Sequence, residues 1–111
     1  MATARTLQLD SVCPATRTLV EHVTSKWGVL VLIALADRPA MRWSELKREI
    51  PGVSEKMLIQ TLQTLEADGL VLRTAHPVVP PHVEYSLTEP GREAHDLLAP
   101  LVRWAYDRAT R

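Results

Sequence analysis

The sequence predicts a mostly helical α+β fold made of one domain. Apolar residues recur with a helical period of about 3.6 in the first part of the chain, and a later stretch alternates in the way that is typical of a β-hairpin. A chain of 111 residues has room for one modest core and no second folding unit. We expect residues 1–12 to form an N-terminal arm and residues 13–111 to form the folded domain.

The composition excludes several classes of protein. Apolar residues make up 46% of the chain and charged residues 23%, which is typical of a globular protein. Thirteen Lys and Arg balance thirteen Asp and Glu, so no strong overall field attracts nucleic acid, although a local basic face remains compatible with this balance. The run WGVLVLIALA, residues 27–36, is shorter than the roughly 20 residues of a membrane span. With no secretion signal at the start either, we expect a cytoplasmic protein without a membrane partner.

The first two helices are predicted from a proline and from a change in apolar pattern. Pro14 suits a first helical position, and an apolar stripe after it predicts a helix over residues 14–24. The next helix, from Lys26 to Asp37, is apolar nearly all round and should therefore be central. The stripe that we interpret as core, rather than as a cofactor site, consists of Trp27, Leu30, Ile33 and Ala34.

The third and fourth helices are joined by a tight turn. We expect Ser44 to cap the third helix, which stops at Pro51-Gly52. Ser54 caps the fourth, and Gly69 ends it in a left-handed conformation. The inward stripe of the fourth helix is Leu58, Leu62 and Leu65, and its opposite side carries Lys56, Gln60, Gln63 and Ala67. Amides at these positions, in place of paired Glu and Lys, indicate a binding surface rather than a merely solvated one.

The period changes after Gly69, and the segment up to Leu87 is predicted to be a β-hairpin. In its second strand the residues Val83, Tyr85 and Leu87 alternate with His82, Glu84 and Ser86. Pro77, Pro80 and Pro81 lie at its tip, where they remove hydrogen-bond donors and restrict the loop. The hairpin should end in a stiff projection.

A final helix begins at Thr88, and its apolar face is wider than a small core can cover. We expect Pro100 to kink or divide this helix. Together with the first helix it predicts a twofold homodimer, because a partner subunit is the simplest cover for such a face. The predicted interface residues are Leu19, Val23, Ala94, Leu97, Leu98, Leu101, Trp104 and Ala105.

Two short helices, a tight turn and a hairpin predict a winged helix-turn-helix with a two-stranded wing and flanking N- and C-terminal dimerisation helices. The partner would be double-stranded DNA, with the recognition helix, about residues 54–68, in the major groove and the wing, residues 70–87, on the adjacent backbone or minor groove. Gln pairs with adenine, and Lys reaches guanine or phosphate. The candidate DNA contacts are Arg42, Lys47, Arg48, Ser54, Lys56, Gln60, Gln63, Thr64 and Arg73. The alternatives are an ordinary solvated surface and, for Arg73, a cross-strand pair with Glu84.

Four motifs carry a resemblance to a known family. They are CP at Cys13, SKWGVLVLIAL around Trp27, MRWSELKREIPGVSEKMLIQTLQTLEADGLVLRT, and VPPHVEYSLTEPG, which ends at Gly91. In this order and spacing, from Cys13 to about Trp104, the chain resembles the HxlR family of bacterial winged-helix regulators. The resemblance implies a homodimeric transcription factor, held by its first and last helices, that reads DNA with helix four.

The sequence departs from the family pattern on the recognition helix. Thr is common where this chain has Ile59, and Arg or Lys is common where it has Thr61 and Gln63. Fewer cations there should weaken phosphate or guanine contacts or change the preferred site. Trp43 stands in place of a usual Phe, which we interpret as core packing.

The single cysteine, Cys13, forms neither an intrachain disulfide nor a zinc site by itself. It lies just before a predicted helix N-terminus, where the helix dipole and neighbouring Arg17 would favour the thiolate. The family resemblance implies sensing of an oxidant or a small reactive electrophile at this position. An inert thiol is the alternative reading.

No other pattern indicates a catalytic or metal site. The histidines, His22, His76, His82 and His95, lack helical i,i+4 spacing and an accompanying carboxylate cluster, although His76 and His82 should face each other near the wing tip. We therefore expect neither a metal nor a cofactor, and no enzyme. A winged helix used for protein contact without DNA binding is the competing hypothesis.

Overall fold

The computed structural model describes residues 12–110, so the predicted arm lies outside the described residues except for its last position. The described residues form five α-helices and three β-strands, and the strands make one antiparallel sheet in the order β1-β3-β2. The elements are α1 (Pro14–Thr24), α2 (Lys26–Ala36), β1 (Met41–Arg42), α3 (Trp43–Glu49), α4 (Glu55–Ala67), β2 (Val71–His76), β3 (His82–Leu87) and α5 (Glu89–Ala109). The predicted mostly helical winged helix-turn-helix with a two-stranded wing is confirmed.

Local capping explains where the helices begin and end. The Ser54 hydroxyl accepts a hydrogen bond from the Met57 N–H at 3.1 Å, which satisfies a donor that the first turn of α4 leaves unpaired. Gly69 ends α4 with a φ of 78°, a conformation that glycine adopts without a Cβ clash. Both signals lie within a few residues of the helix end, and both predictions are confirmed.

The hydrophobic core lies between α2, α3, α4 and the base of the wing. In α2 the fully buried side chains are Val31, Leu32 and Leu35, whereas Trp27, Leu30 and Ala34 are half-buried against them and Ile33 is half-buried beside α5. Three of the four residues of the predicted stripe thus pack on the core as expected, but the stripe is not the innermost side of the helix. The reason is that a helix that is apolar nearly all round does not reveal which side is innermost.

No single helix within residues 12–110 has both the length and the apolar character needed to cross a membrane, while α1 and α2 meet that requirement only jointly, as a pair bent by 67°.

The start of α3 differs from the sequence prediction. Ser44 is not its cap, because the helix already begins at Trp43 and the Glu45 carboxylate accepts a hydrogen bond from the Arg42 N–H at 2.8 Å. The two residues before Trp43 form strand β1, which pairs with β3 and determines where the helix can start. Trp43 itself packs partly buried against the core, as predicted.

The sheet places β3 in the middle, and its register decides which side chains meet. Arg73 lies opposite Tyr85, and Glu84 lies opposite Thr74 on one side and Arg42 on the other. The proposed Arg73–Glu84 cross-strand pair is therefore wrong by one position. Because strand residues alternate between faces, this offset leaves Arg73 on the opposite face of the sheet from Glu84.

Helix α5 is anchored at its start and continues without division through Pro100. Thr88 accepts from the Gly91 N–H at 3.1 Å and donates to the Gly69 carbonyl at 2.6 Å, so one hydroxyl joins α5 to the end of α4. Of the two effects predicted for Pro100, a kink or a division, the division is wrong. Pro100 is exposed, so water can satisfy the carbonyl whose backbone hydrogen bond it removes.

Candidate nucleic-acid interface

Helix α4 separates an apolar face from a polar one. Leu58, Leu62 and Leu65 are 0%, 2% and 0% exposed, and they anchor the helix to the core. Lys56, Gln60 and Gln63 lie on the opposite side and are exposed. The amide groups therefore point away from the protein, where their donors and acceptors are available to a partner.

The polar face of α4 is bordered by the wing on one side. Gln63 shares a surface cavity with Arg73 of β2 and Tyr85 of β3, so the recognition helix and the wing form one continuous surface there. Arg73 is exposed at this position. The structure thus brings together two predicted contacts that are ten positions apart in the sequence.

On its other side, the polar face of α4 is bordered by α1. Gln60 and Thr64 line a second surface cavity together with Glu21 and His22 of α1. Thr64 is half-buried, and His22 Nδ1 lies 2.7 Å from an Asp68 carboxylate oxygen just after α4. Both side chains therefore lie beside α1, and Gln60 is the more exposed of the two.

The predicted basic contacts come from β1, α3, α4 and β2. Arg42 and Arg48 are exposed and Lys47 is half-buried, while the Ser54 hydroxyl is used as the α4 cap. The predicted cationic contacts, namely Arg42, Lys47, Arg48, Lys56 and Arg73, form no ion pair with a carboxylate within residues 12–110. Arg38, by contrast, is bound by Glu49 at 2.8 Å. The charges next to α4 thus remain available although the whole chain has a formal net charge of +0.

The wing tip holds a cluster that the sequence argument missed. His76 and His82 are cross-strand partners, and Glu84 lies on the same face, with one carboxylate oxygen 2.9 Å from His76 Nε2. The sequence argument expected no cluster of carboxylates beside the histidines and did not anticipate this single one. The search used helical spacing, whereas these side chains come from two strands, and the alternation of His82 and Glu84 was the signal that could have revealed them.

The predicted dimer residues divide into two groups. Val23, Ala94 and Leu98 are half-buried against the core of their own chain. Another group is exposed and consists of Leu19, Leu97, Leu101, Trp104 and Ala105. Helix α1 has no buried residue along its whole length, and a groove between α1 and α5 is lined mainly by apolar side chains.

Cys13 is exposed immediately before α1, at its N-cap position. The hydrogen bond between its Sγ and Thr16 Oγ1, 3.1 Å apart, is the main cause that lowers the pKa of the Cys13 thiol, with a further contribution from the Thr16 backbone. The expected influence of Arg17 is not among the causes. The lowered pKa is therefore caused by Thr16 rather than by Arg17.

The arrangement of helices and wing agrees with a match to a known family. Residues 22–111 match the family model described as HxlR-like helix-turn-helix. The chain belongs to this family. The HTH-type transcriptional regulator YtfH of Escherichia coli (strain K12) is 55% identical over 92 residues, which cover 83% of this chain and 71% of YtfH.

Solved structures of similar proteins support the same assignment. The putative transcriptional regulator ytfH from Salmonella typhimurium is 52% identical with a TM-score of 0.80, and the match covers 88% of this chain and 86% of that one. The redox regulator HypR in its oxidised form is 36% identical with a TM-score of 0.75, over 86% of this chain and 96% of that one. This HxlR-family member is therefore a transcriptional regulator of the helix-turn-helix class rather than an enzyme.

Proposed function

We propose that the chain is a cytoplasmic homodimer that regulates transcription by binding specific sites on double-stranded DNA. Helix α4 lies in the major groove, and the hairpin of β2 and β3 contacts the adjacent backbone or minor groove. The observation that carries this proposal is the outward amide face of α4, held in place by leucines that are almost completely buried. A helix anchored in this way holds its outward hydrogen-bonding groups in a fixed position relative to the rest of the domain.

Gln60 and Gln63 are the proposed base contacts. A glutamine amide donates to and accepts from the major-groove edge of adenine, so each side chain can discriminate one base pair. Lys56 lies on the same exposed face and supplies a cation for guanine or phosphate. Sequence preference therefore rests on two neutral amides, with one cation that can add a contact to guanine.

The surrounding polar and basic side chains are the proposed phosphate contacts. Their contacts with phosphates would hold the helix in register on the duplex without reading its sequence. This set consists of Arg42, Lys47, Arg48, Ser54, Thr64 and Arg73. Each cation that meets a phosphate releases counterions, so affinity must fall with salt even though the net charge of the chain is zero.

A twofold dimer would present two copies of α4 to two half-sites. The apolar faces of α1 and α5 would form its interface, with Leu97 as the most exposed of the large apolar side chains that line the groove. Recognition helices of such dimers bind half-sites about 34–36 Å apart, or at a multiple of that distance. We therefore expect an inverted repeat in the bound DNA.

We also propose that Cys13 makes the dimer responsive to oxidants or electrophiles. Its exposed thiol and lowered pKa increase the fraction of nucleophilic thiolate at neutral pH. HypR, which is named a redox regulator, shares this fold and supports the proposal. A disulfide would have to join two subunits or a small thiol, because the chain has no second cysteine. The modification would shift α1 within the dimer and change the separation of the two α4 helices.

The deciding experiment is a titration of the purified chain with the DNA upstream of its own gene at two salt concentrations, with a scrambled duplex of equal length as control. Tight binding to the upstream DNA that weakens steeply with salt supports the proposal. Equal, weak binding to both duplexes would favour the competing function, which is a winged helix that contacts another protein. The zero net charge of the chain and the uncharged Gln63 are the observations in favour of that alternative.

The same titration in the presence of oxidant, with the unmodified chain and with Cys13→Ser, tests the proposed sensor. An equal response of both chains to oxidant would contradict a role for Cys13.

A further inference from the structure

The tip of the wing gathers two imidazoles and one carboxylate on one face of the hairpin. His76 and His82 are directly opposed in the β2–β3 register, and Glu84 follows His82 by two positions, so all three side chains share a face. Glu84 lies 2.9 Å from His76 Nε2 through one oxygen and 3.8 Å from His82 Nε2 through the other. The two imidazole rings stack with centroids 4.7 Å apart.

We propose that His76, His82 and Glu84 bind a divalent first-row transition-metal ion such as Zn²⁺. Their ligand atoms all lie within 4.8 Å of one another. Zinc binds imidazole nitrogen and carboxylate oxygen at about 2.0–2.2 Å, which places neighbouring ligand atoms of a tetrahedral site roughly 3.3–3.5 Å apart. The observed separations lie on both sides of this value, so small side-chain rotations would bring the three ligands around one ion.

The donor set selects the class of metal. Imidazole nitrogens favour zinc, copper, nickel and iron over Mg²⁺ and Ca²⁺, which prefer sites made of oxygen ligands. Three protein ligands leave a fourth position for water, which is the arrangement of open rather than closed zinc sites. The three side chains are 37%, 20% and 32% exposed, so the site is accessible to an ion from solvent.

The hairpin holds the ligands close together before an ion arrives. Cross-strand pairing sets the separation of the two histidines, and Pro77, Pro80 and Pro81 restrict the connecting loop. The hydrogen bond between His76 and Glu84 keeps the carboxylate next to the Nε2 atoms of the two rings. A bound ion would replace this hydrogen bond and link both strands through coordination bonds. If the wing contacts DNA as proposed above, the ion would stiffen the part of the wing farthest from the core.

The test uses the full chain carrying Cys13→Ser, so that the thiol cannot act as a ligand, after removal of metal with a chelator. We expect one Co²⁺ per chain with visible absorption bands of a four-coordinate site, displacement by Zn²⁺, and no displacement by Mg²⁺. His82→Ala and Glu84→Gln should each weaken binding by roughly tenfold or more, since even the loss of an outer-shell partner costs about 10–100-fold. His95→Ala is the matched control, because His95 also pairs with a carboxylate, Asp96, at 3.0 Å.

Thermal unfolding provides a second measurement that does not depend on cobalt. Zn²⁺ at about 100 times its dissociation constant should raise the ratio of folded to unfolded molecules of the Cys13→Ser chain by roughly a hundredfold, and so raise its melting temperature. The same chain with His82→Ala added should show no such rise. Circular dichroism verifies that each variant is folded. The proposal is overturned if binding is substoichiometric, if His82→Ala and Glu84→Gln bind as tightly as the parent, or if His95→Ala weakens binding equally. In those cases the three side chains form only a hydrogen-bonded cluster.

Discussion

At the scale of single residues, the proposed DNA contacts would perform two different kinds of recognition. Gln60 and Gln63 carry donors and acceptors that fit a base edge, whereas Arg48 carries a charge that fits any phosphate. The two kinds of contact respond differently to changes in the DNA and in the salt concentration. Substitutions at these positions therefore separate sequence reading from general affinity.

Gln60→Ala is predicted to cost about 1–3 kcal/mol of binding free energy on the preferred site and to remove discrimination at one base pair, because only the base contact is lost. Arg48→Ala is predicted to weaken binding to all sequences alike and to reduce the salt slope by about one. Dissociation constants for the preferred site and its single-pair variants, measured at several salt concentrations, distinguish the two results. A uniform loss of affinity in Gln60→Ala would contradict the assigned base contact.

Thr16→Val is predicted to slow alkylation of Cys13 at neutral pH. The Thr16 hydrogen bonds favour the thiolate and lower the pKa of Cys13, so removing the side-chain bond raises that pKa and leaves less thiolate at a given pH. The rate of reaction with iodoacetamide, followed against pH, should rise at a higher pH than in the parent chain. Thr18→Val, a change at an exposed position of α1, should leave the profile unchanged. Identical profiles for parent and Thr16→Val would contradict the assignment.

At the scale of elements, the joint between α4, β2 and α5 decides how the last helix leaves the domain. The Thr88 N–H donates to the Leu70 carbonyl at 3.1 Å, and its hydroxyl donates to the Gly69 carbonyl. Gly91 then passes so close to the Leu70 backbone that no Cβ fits between them. The position of α5, and with it the exposed apolar face, depends on this contact between backbones.

Gly91→Ala is predicted to destabilise the chain by about 1–3 kcal/mol, because the added methyl group meets the Leu70 carbonyl, which cannot rotate away as a side chain would. Urea unfolding followed by circular dichroism measures the loss. Arg92→Ala, at the next and exposed position of the same helix, should change stability very little. A fully stable Gly91→Ala chain would show that α5 can shift without cost.

At the scale of the whole molecule, the shape and the exposed apolar surface both indicate a partner. The radius of gyration is 15.7 Å, against roughly 13 Å for a compact domain of about 100 residues, and the longest dimension is 53 Å. The last residues of α5 and the residue that follows it, 103–110, are all exposed, and Leu97 is 82% exposed. A single chain of this kind leaves its apolar helices uncovered, which a twofold dimer would correct.

Leu97→Glu is predicted to convert the proposed dimer into monomers. The interface would bury an unpaired carboxylate from each subunit, which costs about 3 kcal/mol or more in total and raises the dimer dissociation constant by at least roughly a hundredfold. Light scattering after size exclusion, over a range of concentrations, measures the effect. Glu93→Gln, an exposed polar change at the groove margin, is the control. A parent chain that is monomeric at all concentrations would overturn the proposed dimer.

What the sequence determined by itself is the set of features that depend on near neighbours. The bounds predicted for α1, the Ser54 cap and the Gly69 terminus agree with the structure, because the groups that satisfy a helix end lie within about four residues of it. The period of the leucines in α4 likewise determined which way Gln60 and Gln63 point. The order of motifs was sufficient to identify the family.

What only the tertiary structure decided is the set of features that depend on register and on contacts between distant residues. Strand β1 has two residues, too few for any period, and it exists because β3 pairs with it. The offset of β2 against β3 placed Glu84 opposite Thr74 and beside the two wing-tip histidines, instead of opposite Arg73. A shift of one residue in strand pairing moves a side chain to the other face, and the alternation of a single strand cannot specify that shift.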